Sequence, residues 1–153
     1  ANVAHDRDRM LAFYEQLLEI APHRRGEQAG NPKLDAIADI DGLAIKGGWI
    51  RVGNMELEVW QYAKPPTPAP AGPRRLDEIG YNAVGFEVAD IEAARRRLKA
   101  LKVPLVGRPV MLDGWAVQYA RDPEGNLFSM VANVSGDPAL GVDRLVPTPP
   151  PGG

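Results

Sequence analysis

The sequence predicts an α+β fold built from a duplicated unit, with a ligand site between the two copies. A Val-Ala pair followed by acidic residues opens each of two helical segments, at residues 3–8 and 88–92. Further along the chain, each copy reaches a Gly-Asn turn that leads into a short strand, at residues 53–58 and 125–130. Alternation of apolar and polar residues in these strands then predicts half-buried sheets.

The first copy is predicted to contain one helix and two strands, at residues 6–18, 43–52 and 55–62. Asp6 or Asp8 can cap the helix, and the step Ala21-Pro22 ends it. Residues 24–42 are polar and contain glycine, which predicts a mobile loop. The two strands are joined at Gly53-Asn54, a two-residue hairpin turn.

The second copy is predicted to contain a strand, a helix and a strand pair, at residues 81–88, 91–101, 115–121 and 127–134. Asp90 caps the helix, and the turn at residues 122–126 joins the strand pair. Residues 64–73 carry five prolines and are predicted to be an extended linker. Residues 136–153 are predicted to be a tail.

Composition excludes several classes of function. The chain has 153 residues and a formal net charge of −2, so it offers no basic surface for nucleic acid. It has no cysteine, which excludes disulfides and thiolate ligands. No apolar run is long enough to span a membrane, and no signal peptide is visible. A soluble, cytoplasmic protein is expected.

Strand periodicity assigns side chains to two faces of each predicted sheet. The apolar faces, expected to pack under the helices, carry Met55, Leu57 and Val59 in the first copy and Val84, Phe86 and Val88 in the second. The opposite faces, expected to line a concave surface, carry Glu56, Glu58 and Trp60 in the first copy and Ala83, Gly85 and Glu87 in the second.

Four sequence runs together carry a family resemblance: residues 8–14, 52–59, 86–90 and 119–126. With these runs the chain resembles the vicinal-oxygen-chelate superfamily, which includes glyoxalase I, bleomycin-resistance proteins, fosfomycin-resistance enzymes and extradiol dioxygenases. The resemblance implies paired βαβββ modules that form a curled mixed sheet around a cleft. The expected organisation is a first module, a proline-rich linker, a second module and a tail, at residues 1–64, 65–77, 78–135 and 136–153.

The resemblance also implies a divalent metal held by His and carboxylate ligands, but few of these ligands are present. The first family position falls before Ala1, and the second falls on Glu58. The third falls on Ala83, which has no donor atom, and the fourth on Ser129, a poor neutral ligand. Since catalytic sites use about three protein ligands, no metal and no other cofactor is predicted. The two histidines, His5 and His23, are expected at the surface.

Nine residues are predicted to line the cleft: Trp49, Glu56, Glu58, Trp60, Trp115, Val117, Tyr119, Leu127 and Ser129. The tryptophans either bind rings and cations or simply fill the core. Burial among them is expected to raise the pKa of Glu58, so that it acts as a general base. Tyr119, which resembles a substrate-facing tyrosine of fosfomycin-resistance relatives, or Ser129 would then bond an oxyanion.

The alternative for Glu58 is a structural ion pair with Arg51 or Arg121. Glu56 would either share a proton with Glu58 or add a negative patch for a cationic ligand.

Two functions follow from this site. The first is metal-free binding of a bulky aromatic or cationic small molecule, of the sequestration or resistance type. The alternative is a metal-independent isomerase, epimerase or lyase that uses Glu58 as base. A metalloenzyme whose ligands lie in a different register of the sequence ranks last. The resemblance implies a homodimer, and no nucleic-acid or membrane partner is expected.

Overall fold

The computed structural model describes residues 1–141, which form two compact units. The first unit contains residues 1–73 together with the short segment 123–125. The second contains residues 74–122 and 126–141. Each unit is organised around one four-stranded mixed sheet, which confirms the predicted α+β class.

The first unit contains β1 (Asn2–Val3), α1 (Arg7–Leu18), β2 (Arg24–Ala29), α2 (Pro32–Ala38), β3 (Ala44–Val52) and β4 (Met55–Lys64). The strand order is β1-β4-β3-β2, with β1 parallel to β4 and the other neighbours antiparallel. The predicted hairpin at Gly53-Asn54 joins β3 to β4, as expected.

The prediction of a mobile loop over residues 24–42 is wrong, because this stretch holds β2 and α2. β2 is an edge strand whose six residues are all exposed, so its polar composition is compatible with a strand. α2 begins after Asn31, whose side chain accepts a hydrogen bond from Lys33 N, and Pro32 occupies the first helical turn. The pairing of β2 with β3, a tertiary interaction, therefore determines the structure of this region.

α1 begins at the predicted cap, since the side chain of Asp6 accepts a hydrogen bond from Arg9 N. Its apolar face buries Met10, Leu11 and Tyr14. Leu11 packs onto Gly48 of β3, where an added Cβ would lie 2.3 Å from Leu11 Cδ1. α1 therefore covers one face of the first sheet and needs a glycine there to approach it.

The second unit contains β5 (Ala83–Glu87), α3 (Ile91–Ala100), β6 (Leu105–Leu112), β7 (Trp115–Arg121), β8 (Leu127–Asn133) and a short 3₁₀ helix (Pro138–Leu140). The strand order is β5-β8-β7-β6, with β5 parallel to β8. β6 was not predicted. Its pairing with β7 shifts register between Val106 and Val110, where Gly107 and Pro109 interrupt the alternating pattern.

The Asp-Pro-Glu-Gly-Asn turn between β7 and β8 closes as a local network. Asp122 is 4% exposed, and its two carboxylate oxygens accept hydrogen bonds from Asn126 N and Nδ2 at 2.9 and 3.0 Å. Of the predicted tail, residues 142–153 lie outside the described residues. None of the helices within residues 1–141 has the length and apolarity needed to cross a membrane.

Candidate functional site

The face of the first sheet opposite α1 gathers several of the predicted site residues. Strand pairing places Arg24, Trp49 and Glu58 side by side on β2, β3 and β4. The next row on the same face is Gly26, Gly47 and Trp60. We call this surface, defined by these two rows, the Glu58 face.

The carboxylate of Glu58 is held by two tryptophans. Trp49 Nε1 donates a hydrogen bond to Glu58 Oε1 at 2.7 Å, and Trp60 Nε1 donates to Oε2 at 3.3 Å. The two indoles meet edge to face, with ring centroids 5.3 Å apart and an interplanar angle of 78°. Both carboxylate oxygens are therefore oriented by donors on a rigid sheet.

These bonds reverse the expected direction of the Glu58 pKa shift. The hydrogen bond from Trp49 has the largest effect and lowers the pKa of Glu58, while desolvation by burial acts in the opposite direction. The bond from Trp60 and the positive charge of Arg24 lower the pKa further. The prediction of a raised pKa is wrong, because the indoles act as N–H donors to the carboxylate and not only as apolar surroundings.

Trp49 is only 9% exposed, so its ring is mostly covered. On one side it lies against the backbone of Gly47, where an added Cβ would lie 2.6 Å from the ring. The guanidinium carbon of Arg24 lies 3.9 Å from the ring centroid, a cation–π contact. Trp49 thus supports Glu58 and Arg24 and offers little ring surface of its own.

A depression of about 110 Å³ opens beside the two indoles. Its lining consists of Gly26, Glu27, Gln28, Leu34, Ile45, Gly47, Trp49 and Trp60. The paired glycines provide the space, since a side chain at Gly47 would meet the ring of Trp49. The half-buried ring of Trp60 lines the depression, and its role in ligand binding stays a prediction.

Glu56 has a partner that the sequence did not suggest. His23 Nε2 lies 2.8 Å from Glu56 Oε1, and the backbone N–H of His23 donates to Trp49 O. The shared proton considered for Glu56 and Glu58 is not seen, because Glu58 bonds to the two indoles. Likewise, among the described residues, no ion pair joins Glu58 to Arg51, and the alternative pair with Arg121 stays a prediction.

Arg7 lies behind the floor of the depression. It is 6% exposed, and its Nη1 donates to Gly47 O at 3.3 Å and Gly26 O at 3.4 Å. Its other donors reach the carboxylate of Asp8. Sequence reasoning missed Arg7, Arg24 and His23, because their roles depend on strand pairing far along the chain and no local motif marks them.

The second unit holds the remaining predicted site residues on one face of its own sheet. Trp115, Val117 and Tyr119 alternate along β7 with buried neighbours. Tyr119 pairs directly with Ser129. Leu127 shares the face but is only 3% exposed. Ligand binding by these second-unit residues stays a prediction.

Two of the metal-ligand positions that the family resemblance implies, Ala83 and Ser129, lie in the second unit. Ala83 and Ser129 lie on the same face of the second sheet, since their pairing partners on β8 and β5 are Leu127 and Gly85. Within residues 1–141, no three His, Asp or Glu side chains lie close enough to share a metal ion. Ala83 has no donor atom and Ser129 offers only a neutral hydroxyl, so this pair does not fit a centre with about three protein ligands. The absence of a metal from the protein stays a prediction.

A family model described as the Glyoxalase/Bleomycin resistance protein/Dioxygenase superfamily matches residues 3–130. The chain is similar to a solved glyoxalase family protein from Bacillus cereus, with 23% identity, a TM-score of 0.76, and coverage of 86% of this chain and 89% of that one.

Two further solved structures have the same fold. A glyoxalase family protein from Enterococcus faecalis has 18% identity and a TM-score of 0.60, covering 85% of this chain and 90% of that one. A fosfomycin resistance protein from Listeria monocytogenes has 15% identity and a TM-score of 0.55, covering 85% and 86%. No curated protein matches the chain.

Proposed function

Because the chain belongs to the glyoxalase/bleomycin resistance protein/dioxygenase superfamily, we propose that it binds a small molecule on the Glu58 face without a metal. The ligand carries an apolar ring or branched chain and a cationic or N–H donor group, and the protein sequesters it without converting it. The observation that carries this proposal is the carboxylate of Glu58, clamped by two indoles that also line the depression.

The clamped carboxylate suits recognition of a donor group. An ionised carboxylate has about four lone-pair positions, and the indoles use two of those of Glu58. The remaining positions can accept from a ligand cation or N–H. Since Trp49 and Trp60 already orient the carboxylate, little freedom is lost on binding.

The depression suits the apolar part of the ligand. An engineered apolar cavity of about 150 Å³ binds benzene, so a depression of about 110 Å³ takes up to one ring or a short branched chain. Leu34, Ile45 and Trp60 supply apolar contacts. Burial of such a group contributes about 25 cal/mol per Å² removed from water.

The lowered pKa of Glu58 favours binding over the alternative function, a metal-independent isomerase, epimerase or lyase. A general base works best when its pKa lies near the operating pH. A carboxylate that is more acidic than usual is a weaker base, but it stays charged over a wider pH range. Glu58 can therefore hold a cationic ligand as a fixed anion, which is what sequestration requires.

The test is a titration followed through the indole N–H signals in a ¹⁵N-labelled sample. The chain has three tryptophans, and a Trp115→Phe variant identifies the signal that belongs to the second unit. The probes are 3-phenylpropylamine and its neutral counterpart 3-phenylpropanol, both with a chelator present. The matched variants are Glu58→Gln and Glu92→Gln, which remove the same charge from the site and from α3.

We expect the amine to shift the Trp49 and Trp60 signals and to bind about tenfold more tightly than the alcohol, as for a hydrogen bond to a charged group. Glu58→Gln should remove this difference, and Glu92→Gln should keep it. Equal affinity for amine and alcohol, or dependence on added metal, would contradict the proposal. Chemical conversion of the bound amine would favour the enzyme alternative.

A further inference from the structure

We propose that Arg24 anchors an oxyanion of the same ligand, so that the Glu58 face selects amphoteric molecules. Such a molecule carries a carboxylate or phosphonate-like group at one end, a cationic or N–H donor group at the other, and an apolar group for the depression. This inference rests on the proposed function and adds the second charged group of the ligand.

The guanidinium of Arg24 contacts an aromatic ring but has no polar partner within residues 1–141. Its central carbon lies 3.9 Å from the centroid of the Trp49 ring. Among the residues that the structure describes, no side-chain hydrogen bond or ion pair of Arg24 occurs. Arg7, by contrast, uses its donors on Asp8 and on two backbone carbonyls.

Stacking leaves the recognition edge of a guanidinium available. The group is planar and carries five N–H donors in a fork that matches a carboxylate or phosphate oxygen pair. An arginine that stacks on a ring uses only the face of its guanidinium, so its in-plane donors stay available to an anion. Because the contact with an indole already restricts the arginine side chain, less conformational entropy is lost when it binds an anion.

Arg24 and Glu58 stand on either side of Trp49 in one row of the sheet. The pairing partners are Arg24 with Trp49, and Trp49 with Glu58. Neighbouring strands are about 4.8 Å apart, so β2 and β4 are separated by roughly 10 Å. A positive and a negative group are thus presented on the same side of the sheet, one over the Trp49 ring and the other at its N–H.

This arrangement favours a ligand with both charges over a ligand with only one. A cation bound at Glu58 would experience repulsion from Arg24, and an anion bound at Arg24 would experience repulsion from Glu58. A molecule with both charges satisfies both groups, and its apolar part can enter the depression between Leu34 and Trp60. Electrostatic complementarity of this kind supplies specificity as well as affinity.

The test uses three forms of one dipeptide, glycyl-phenylalanine, followed through the indole signals of Trp49 and Trp60. The free peptide has both charges, its C-terminal amide lacks the anion, and its N-acetyl form lacks the cation. A fourth probe replaces the carboxylate with a phosphonate and distinguishes a planar from a tetrahedral oxyanion. The variants are Arg24→Gln and Arg25→Gln.

Arg25 is the matched control because it is exposed, follows Arg24 along β2 and pairs with Gly48 on the opposite face. We expect the free peptide or its phosphonate to bind about tenfold more tightly than the amide. Arg24→Gln should abolish that advantage and should not weaken binding of the amide. Arg25→Gln should leave all affinities within twofold.

Two results would overturn the inference: equal binding of free peptide and amide, or an unchanged advantage in Arg24→Gln. Absence of binding by every peptide would overturn it as well. In each case the amine and alcohol titration with Glu58→Gln still decides the proposed function, because those probes carry no anion. The two proposals can therefore fail separately.

Discussion

Trp49 Nε1 lies 2.7 Å from Glu58 Oε1, across the pair of strands in which these two residues are direct partners. The bond joins a mostly covered indole to a half-buried carboxylate. It lowers the pKa of the acid and orients its carboxylate, and the same ring contacts Arg24. The predictions below follow from this relationship and from the packing beneath it.

Glu58 should make the protein more stable at neutral pH than in acid. Its pKa is lowered in the folded state, mainly by Trp49, so the unfolded chain takes up the proton at a higher pH than the folded chain. The stabilisation is therefore complete above the unfolded-state pKa and is lost as pH falls through the folded-state pKa. Urea unfolding from pH 7 to pH 3 measures it.

The free energy of unfolding of the wild type should exceed that of Glu58→Gln at pH 7, and the difference should shrink toward pH 3. Glu92→Gln serves as the control, because it removes the same charge from α3, in the other unit. A difference that grows as the solution becomes more acidic would mean that the pKa of Glu58 is raised and that the hydrogen-bond account is incorrect.

Trp49→Phe should raise the pKa of Glu58 more than Trp60→Phe does. Both changes remove an indole N–H, but the bond from Trp49 is shorter, 2.7 Å against 3.3 Å. Loss of a hydrogen bond to a charged group costs about 1.5–3 kcal/mol, so Trp49→Phe should also destabilise the fold more. The ¹³C shift of the Glu58 carboxyl against pH gives both midpoints, and the reverse order would contradict the structure.

Gly47→Ala should destabilise the first unit and close the depression. The added Cβ would lie 2.6 Å from the ring of Trp49, which must move, and overpacking of this kind costs about 1–3 kcal/mol. Gly26→Ala is the matched control, since its Cβ would meet the same ring at 3.9 Å, an ordinary contact. Chemical denaturation and the Trp49 indole signal report the outcome. Equal effects of the two changes would argue against a requirement for glycine at position 47.

Arg7→Met should cost about 1–3 kcal/mol of unfolding free energy. The change removes donors from Gly26 O and Gly47 O and from the carboxylate of Asp8. Arg9→Met, an exposed change on the same helix, should have little effect. Comparable losses in the two variants would show that Arg7 does not support the floor of the depression.

Much of the fold was predictable because its signals are local. Asp6 and Asp90 cap the two long helices as expected, and a two-residue turn joins β3 to β4. β2, α2 and β6 were missed, because their residues are polar, exposed or interrupted by glycine and proline. Edge strands of this kind are stabilised by pairing with a neighbour, which no local pattern reveals.

The candidate site was predictable in part. Period-two alternation correctly placed Glu58 and Trp60 on one face, and the structure joins them by a hydrogen bond. The direction of the Glu58 pKa shift was not predictable, since it depends on which atom of Trp49 points at the carboxylate. Arg24 and His23 enter the site through strand pairing and the contact with Glu56.

The sequence by itself determined the superfamily, the α+β class and the presence of a lone family carboxylate at Glu58, because turn motifs, caps and alternation are written in neighbouring residues. Only the tertiary structure decided which donors surround that carboxylate and in which direction its pKa shifts. Cross-strand register brings Trp49 and Arg24 beside it, and the charge state of an acid depends on the donors and charges around it, wherever they lie along the chain.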